Sequence, residues 1–177
     1  MTKRMMKDAL MELLEQRPLS TVSVTDLCAR ADVNRSTFYS YYDNLTQLLR
    51  EAEDDLIAQL PSAMPIDEQS DPVRQLTEGF TLFFGYVRRH ARDFDVLLRA
   101  GDPSFSERLM DTIMERFRKP DSGTENPLPK SWGYIYAVNG TIGLIREWIR
   151  GGFPIPEGEF AVLVLRMGFR ANDLKSD

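Results

Sequence analysis

One cysteine, one histidine and no long apolar run narrow this 177-residue chain before any motif is read. The single thiol, Cys28, excludes an intrachain disulfide and a cysteine-based zinc site, because each needs a second cysteine. His90 sits among Arg88, Arg89 and Arg92, a setting that favours a solvated ring over a metal ligand, so neither metal nor other cofactor is expected. The longest apolar stretch, Trp132–Ile145, has 14 residues, contains Asn139 and runs straight into Arg146 and Glu147. It falls short of the ~20 apolar residues that a helix needs to cross a bilayer. The first residues alternate charge with apolar side chains and show no secretory pattern, which makes the cytoplasm the expected compartment. There is no Gly-rich phosphate loop, no Gly-x-Ser-x-Gly and no His-Glu-x-x-His. Adjacent carboxylates such as Asp54 and Asp55 fall on a solvated helix face, and no catalytic constellation is left to propose.

What is present is ordinary globular material, 42% hydrophobic and 28% charged, enough to bury a core. The net charge of −5 is unevenly spread. Residues 1–50 hold seven Lys/Arg against six Asp/Glu, and the acidic excess lies beyond them. Any affinity of the N-terminal third for nucleic acid must therefore come from placed contacts more than from bulk charge.

Apolar spacing of three and four predicts helices throughout, with no strand-like alternation and no repeat; the fold class is all-α, with about nine helices. Met6, Leu10, Leu13 and Leu14 mark a first helix over 3–17, stopped by Pro18. Ser23 and Asp26 form a capping-box pattern ahead of a two-turn helix whose inner face is Leu27, Cys28 and Ala31. Asn34 is placed to cap a further short helix over 35–41, and a fourth runs from Asn44 to Pro61. Beyond an acidic, proline-containing loop come helices over 73–92 and 91–100, the latter closed by Gly101. A helix headed by Asp102 and Pro103 follows, with Leu109, Ile113, Met114 and Phe117 inward, and then helices over 130–150 and 157–171.

Two short helices joined by Ala31-Asp32-Val33-Asn34 after a longer one make a helix-turn-helix. Helices of about two turns are unstable alone and must be clamped by neighbours, which leaves one face free. A helical wheel sends Val33, Phe38 and Tyr42 inward and leaves Arg35, Ser36, Thr37, Tyr39, Ser40 and Tyr41 outward or at the edge. That set suits DNA: an arginine can read guanine, small hydroxyls allow close approach, and phenols donate to phosphate.

The stretch VSVTDLCARADVNRSTFYSYYDNLTQLL resembles the tetracycline-repressor (TetR) family of bacterial transcription regulators, with Ser23, Val24, Leu27, Cys28, Ala31, Val33, Asn34, Thr37, Phe38, Tyr39, Tyr42 and Leu48 in step with its motif. The resemblance implies a DNA-binding domain over 1–46 and a helical ligand-binding and dimerisation domain over 47–177. It adds Ser23 and Thr25 to the expected DNA contacts, beside Arg35, Ser36, Thr37, Tyr39, Ser40 and Tyr41. Two positions depart from the pattern: Asp32 stands where the family has glycine, and Leu45 where it has lysine, which removes one phosphate contact. The implied function is a regulator, commonly a repressor, that binds a palindromic operator as a homodimer and is released by a small-molecule effector. Its two recognition helices would lie one DNA turn apart, ~34–36 Å. A DNA-silent interaction protein of the same fold is the alternative, which the acidic balance, Asp32 and Leu45 favour.

In the C-terminal region, the apolar character of FAVLVLRMGF and the spacing of Gly133, Ala137 and Gly140 point to helices 130–150 and 157–171 as the dimer interface. An apolar or aromatic effector is expected among Phe80, Phe83, Phe84, Tyr86, Phe94, Leu97, Met110, Met114, Trp132 and Tyr136. An aromatic or Met stripe at helical spacing is, however, usually plain core. Asn139 and Glu147 are polar positions open to a ligand or to a second copy.

Overall fold

Helices account for the regular structure, and no strand occurs among the described residues. The computed structural model describes residues 1–61, 71–100, 104–116 and 132–172, with the side chains of 72, 114, 132–134 and 169–172 excepted. In chain order the helices are α1 (Thr2–Gln16), α2 (Val24–Ala31), α3 (Arg35–Tyr39), α4 (Leu45–Ala58), α5 (Pro72–Arg89), α6 (Ala91–Ala100), α7 (Ser104–Arg116), α8 (Trp132–Arg150) and α9 (Glu157–Asn172). The all-α expectation holds. The expected positions Gly101, Asp102, Pro103 and Phe117, and the start of α8 at 130, lie outside the described residues. The chain divides into two compact units, Met1–Gln59 with Arg92–Phe105, and Leu60–Ala91 with Ser106–Asp177.

In the first unit α1 packs on α2 and α4, and α2 on α3. The apolar spacing of α1 puts Met6, Ala9, Leu10 and Leu14 on one buried face, while α4 contributes Leu48, Leu49 and Leu56 and α6 contributes Phe94, Val96 and Leu97. Each fully buried aliphatic side chain of this kind contributes ~1.5–3 kcal/mol. Across the α1–α4 seam, Lys3 and Lys7 reach Glu51 at 2.9 and 2.7 Å, and Lys7 also pairs with Asp55. Cys28 is buried, as its place on the inner face of α2 requires, and burial pushes its thiol pKa up.

The second unit is built on α9, which packs against α5 and α8. Phe84 of α5 is fully buried, with ring centroids 5.1 Å from Phe83, 4.6 Å from Phe160 and 5.9 Å from Trp148. Trp148 stacks on Phe160 at 4.5 Å with planes 8° apart, and its indole N–H donates to the Ile155 carbonyl at 2.9 Å. The turn that makes this possible uses Gly152 at φ 70° and, less usually, Phe153 at φ 63°. A non-glycine residue in the left-handed region needs outside support. Phe153 receives it: its N–H donates to the Trp148 carbonyl at 2.9 Å, its ring meets Trp148 edge-on at 4.8 Å, and Arg88 lies over it at 5.0 Å. Arg88 in turn pairs with Glu157 in the first turn of α9 at 3.1 Å.

Candidate nucleic-acid interface

The start of α2 is set by a reciprocal cap. Ser23 Oγ accepts from the Asp26 N–H at 3.1 Å, and the Ser23 N–H donates to Asp26 Oδ2 at 3.0 Å. The same carboxylate oxygen accepts from the Ser23 hydroxyl at 2.8 Å and pairs with Arg17 at 2.9 Å. These Ser23 bonds, joined by the nearby Arg17 charge, hold the Asp26 carboxyl below the usual carboxylate range. The expected capping box is thus real, and it already engages the Ser23 hydroxyl that was expected to meet phosphate. Thr25, the next expected contact, is exposed.

The turn after α2 closes through Asp32, whose backbone sits in the left-handed region at φ 51°, ψ 48°, with the Val33 N–H donating to the Cys28 carbonyl at 3.0 Å. This is a Schellman-type ending, the conformation for which glycine is the usual occupant. Aspartate is among the few side chains that tolerate it, which accounts for the departure from glycine. Val33, expected inward, is only half-buried.

α3 is shorter than expected, five residues instead of 35–41, because the Tyr41 and Tyr42 N–H groups both turn back to the Phe38 carbonyl at 3.0 Å. Asn34 occupies the N-cap position, but its side chain makes no capping bond, contrary to expectation. Packing holds the helix instead. Phe38 is fully buried, touching Tyr39 edge-on at 5.3 Å and Tyr42 at 5.8 Å, and Tyr42 is buried with it. The aromatic cluster therefore divides: two rings clamp the helix, while Tyr39 and Tyr41 stand 50% and 45% exposed. Arg35, Ser36 and Ser40 are exposed and Thr37 half-buried. Ser40 donates its hydroxyl to the Thr37 carbonyl at 2.7 Å. All eight expected contact residues lie on or beside α2 and α3, and seven of them are exposed.

Asn44 caps α4, its side chain accepting from the Gln47 N–H at 2.9 Å, while Gln47 accepts from the Asp43 N–H at 2.7 Å. Leu45 is half-buried at its first position and supplies no charge there. Sequence reasoning missed the pairing of charge across helices. Arg30 of α2 is held by Glu12 of α1, and Arg92 of α6 by Glu15 of α1. The partners are 18 and 77 residues apart, so no local pattern announces them.

Residues 8–52 match the family described as bacterial regulatory proteins, tetR family, and residues 74–169 match the family described as transcriptional regulator C-terminal region. The chain belongs to the TetR family. It is accordingly a DNA-binding transcriptional regulator and not an enzyme. Solved structures share the fold of this TetR-family chain. A TetR regulator from Streptococcus agalactiae 2603V is 21% identical over 94% of this chain and 93% of its own, with a TM-score of 0.65. NalD, the secondary repressor of the MexAB-OprM multidrug efflux pump in Pseudomonas aeruginosa, is 19% identical over 96% of each chain, with a TM-score of 0.60. The dihydroxyacetone kinase operon activator DhaS is 18% identical over 99% of each chain, with a TM-score of 0.53. A comparison with curated proteins finds no match. Among the described residues no helix is long and apolar enough to cross a membrane, and no cluster of metal-ligating side chains occurs.

The residues expected around an effector are placed as follows. Phe80, Phe83, Phe84, Tyr86 and Met110 are buried in the second unit, and Phe94 and Leu97 are buried in the first. Tyr136 is 69% exposed, and Asn139 is exposed with its amide donating to the Ile135 carbonyl at 2.8 Å. The side chains of Met114 and Trp132 lie outside the described residues. His90 lies against Tyr86 with ring centroids 4.3 Å apart and planes tilted by 36°. A cavity of about 10 Å³ lies between Leu60, Gly79, Phe83 and Ile113, room for about one water. Arg116 closes one wall of it by donating to the carbonyls of Leu60 and Pro61.

Proposed function

We propose that this TetR-family regulator is a cytoplasmic repressor that binds a palindromic operator as a homodimer and is released by a small apolar or aromatic effector. The observation that carries the DNA side is the division of the Phe38–Tyr42 cluster. Two buried rings fix a five-residue helix that could not stand alone, and its outward face presents Arg35, Ser36, Tyr39, Ser40 and Tyr41. Arg35 reads a base edge, the phenols and hydroxyls meet backbone and groove, and Thr25 lies at the phosphate. The DNA-binding domain is taken as 1–46 and the ligand-binding and dimerisation domain as 47–177.

Support for the dimer comes from the free faces of the last two helices. α8 leaves Tyr136, Asn139, Gly140 and Gly143 exposed in one line, and among the described residues nothing beyond the helix's own nearby backbone and the glycine's chain neighbours lies within 4 Å of a side-chain carbon built at either glycine. α9 leaves Leu163 and Met167 exposed. Small residues flanked by apolar ones suit close approach of a second copy. The stripe differs from that expected, for Ala137 is half-buried. The effector enters among Phe80, Phe83, Phe84, Tyr86 and Met110, which pack tightly in the form described; a ligand that favours an opened arrangement shifts the population toward it. Selection of binding sites from a random duplex library tests the reading. An enriched inverted repeat supports it, and no enrichment by folded protein at low salt assigns the chain to DNA-silent interaction proteins instead.

A further inference from the structure

Arg35 stands apart from every other described lysine and arginine of the first unit. Arg30 is held by Glu12, Arg17 by Asp26, Arg92 by Glu15, and Lys3 and Lys7 by Glu51. Arg4 and Arg99 lie 3.7 and 3.6 Å from carboxylates one turn away on their own helices, and Arg50 donates to Ser104 Oγ at 3.2 Å. The Arg35 guanidinium has no hydrogen bond or ion pair among the described residues.

We propose that Glu12 is a specificity-determining residue acting through Arg30: together with the carboxylates on the other paired cations, it withholds charge from DNA phosphate, so that among the described cations of the first unit Arg35 alone meets duplex without a hydrogen bond or ion pair of its own. This rests on the DNA-binding reading above and adds how the same surface rejects unrelated sequence. A cation gains affinity for any duplex by neutralising phosphate and releasing counterions. A cation whose carboxylate stays a few ångströms away contributes almost no net charge over the ~8 Å that physiological salt leaves unscreened. Arg30 could swing to a phosphate only by leaving Glu12 beside the DNA, where it repels. The pair is half-exposed, and the effect does not require it to be rigid. Of the paired cations Arg30 is the one nearest in sequence to α3, two residues before the Asp32 turn, so its neutralisation bears most directly on the recognition surface.

Fluorescence anisotropy of the full chain with its selected operator, and with a random-sequence duplex, across ~50–200 mM salt tests this. If only the two Arg35 side chains of a dimer neutralise phosphate, the parent has a log–log salt slope of about −2, against the far steeper slopes of proteins making 6–10 phosphate contacts. Glu12→Gln, which frees one Arg30 per protomer, is expected to steepen the slope by about 2. It should therefore lose about tenfold more affinity than the parent over that salt range and bind random duplex more tightly at its low end. Glu12→Gln with Arg30→Gln is expected to restore parental behaviour, which separates charge release from any loss of structure. A parental slope of about −6 or steeper overturns the proposal. So does a Glu12→Gln variant with parental slope and parental random-duplex affinity. If the parent selects no operator, the DNA-binding reading fails separately, and the random-duplex comparison still decides whether the carboxylates withhold charge.

Discussion

Lys7 of α1 and Glu51 of α4 meet at 2.7 Å, and the same ammonium also pairs with Asp55 one turn further along. Lys7 first, then Lys3, pull the Glu51 carboxyl down to about 2 against the opposing effect of burial. Such a group stabilises the fold above its unfolded value near 4.5 and ceases to do so as pH falls toward 2. With about a third of the side chain exposed, solvent screening reduces the contribution to ~1 kcal/mol. Glu51→Gln is therefore expected to be less stable than the parent at neutral pH by about that amount, with the difference fading below about pH 4.5. Urea denaturation at a series of pH values measures it. A gap that stays constant down to pH 2 would remove the ion pair as its cause.

Arg35→Ala is expected to weaken operator binding by roughly 1–3 kcal/mol while leaving the dimer and its melting temperature unchanged. The exposed position of the side chain is the reason that stability should not move. Anisotropy for affinity and sedimentation for the dimer check the two halves. Parental affinity and selectivity in the variant would mean that α3 is not the recognition helix.

Asp32→Gly is expected to raise stability by up to ~1 kcal/mol, because φ 51° costs an aspartate what it does not cost a glycine. Leu45→Lys restores a cation at the first position of α4 and is expected to steepen the salt slope by about one per protomer. Thermal melts test the first and salt titrations the second. A melting temperature that falls in Asp32→Gly would show that the Asp32 side chain itself supports the turn.

Trp148→Ala is expected to cost ~3–5 kcal/mol through the cavity it leaves. Phe160→Ala should be coupled to it by ~0.5–1.5 kcal/mol, because the two rings stack at 4.5 Å. A double-mutant cycle from chemical denaturation gives the coupling. Strictly additive losses would show that the stack contributes only its buried area.

What the sequence carried openly was local. Helical spacing located the described helices, and the Ser23–Asp26 cap could be named because both partners lie within one turn. Phe38 and Tyr42 could be separated from Tyr39 and Tyr41 because a helix repeats every 3.6 residues. What stayed hidden depends on residues brought together from afar. Glu12 meets Arg30 across two helices, and Phe160 meets both Phe84 and Trp148. Phe153 gives no sign in sequence of its left-handed backbone, since Trp148 and Arg88 supply the support. Asn34 has the residue type of a helix cap and does not act as one, because packing of Phe38 already holds so short a helix.

The burial of Cys28 makes the helix-turn-helix its own stopwatch. The chain's sole thiol is buried on the inner face of α2, where burial raises its pKa and so disfavours the reactive thiolate. An alkylating reagent can reach it only while α2 has lifted away, so the labelling rate counts those openings without any introduced probe. Slower labelling in the presence of operator then reports how firmly bound DNA holds the motif shut.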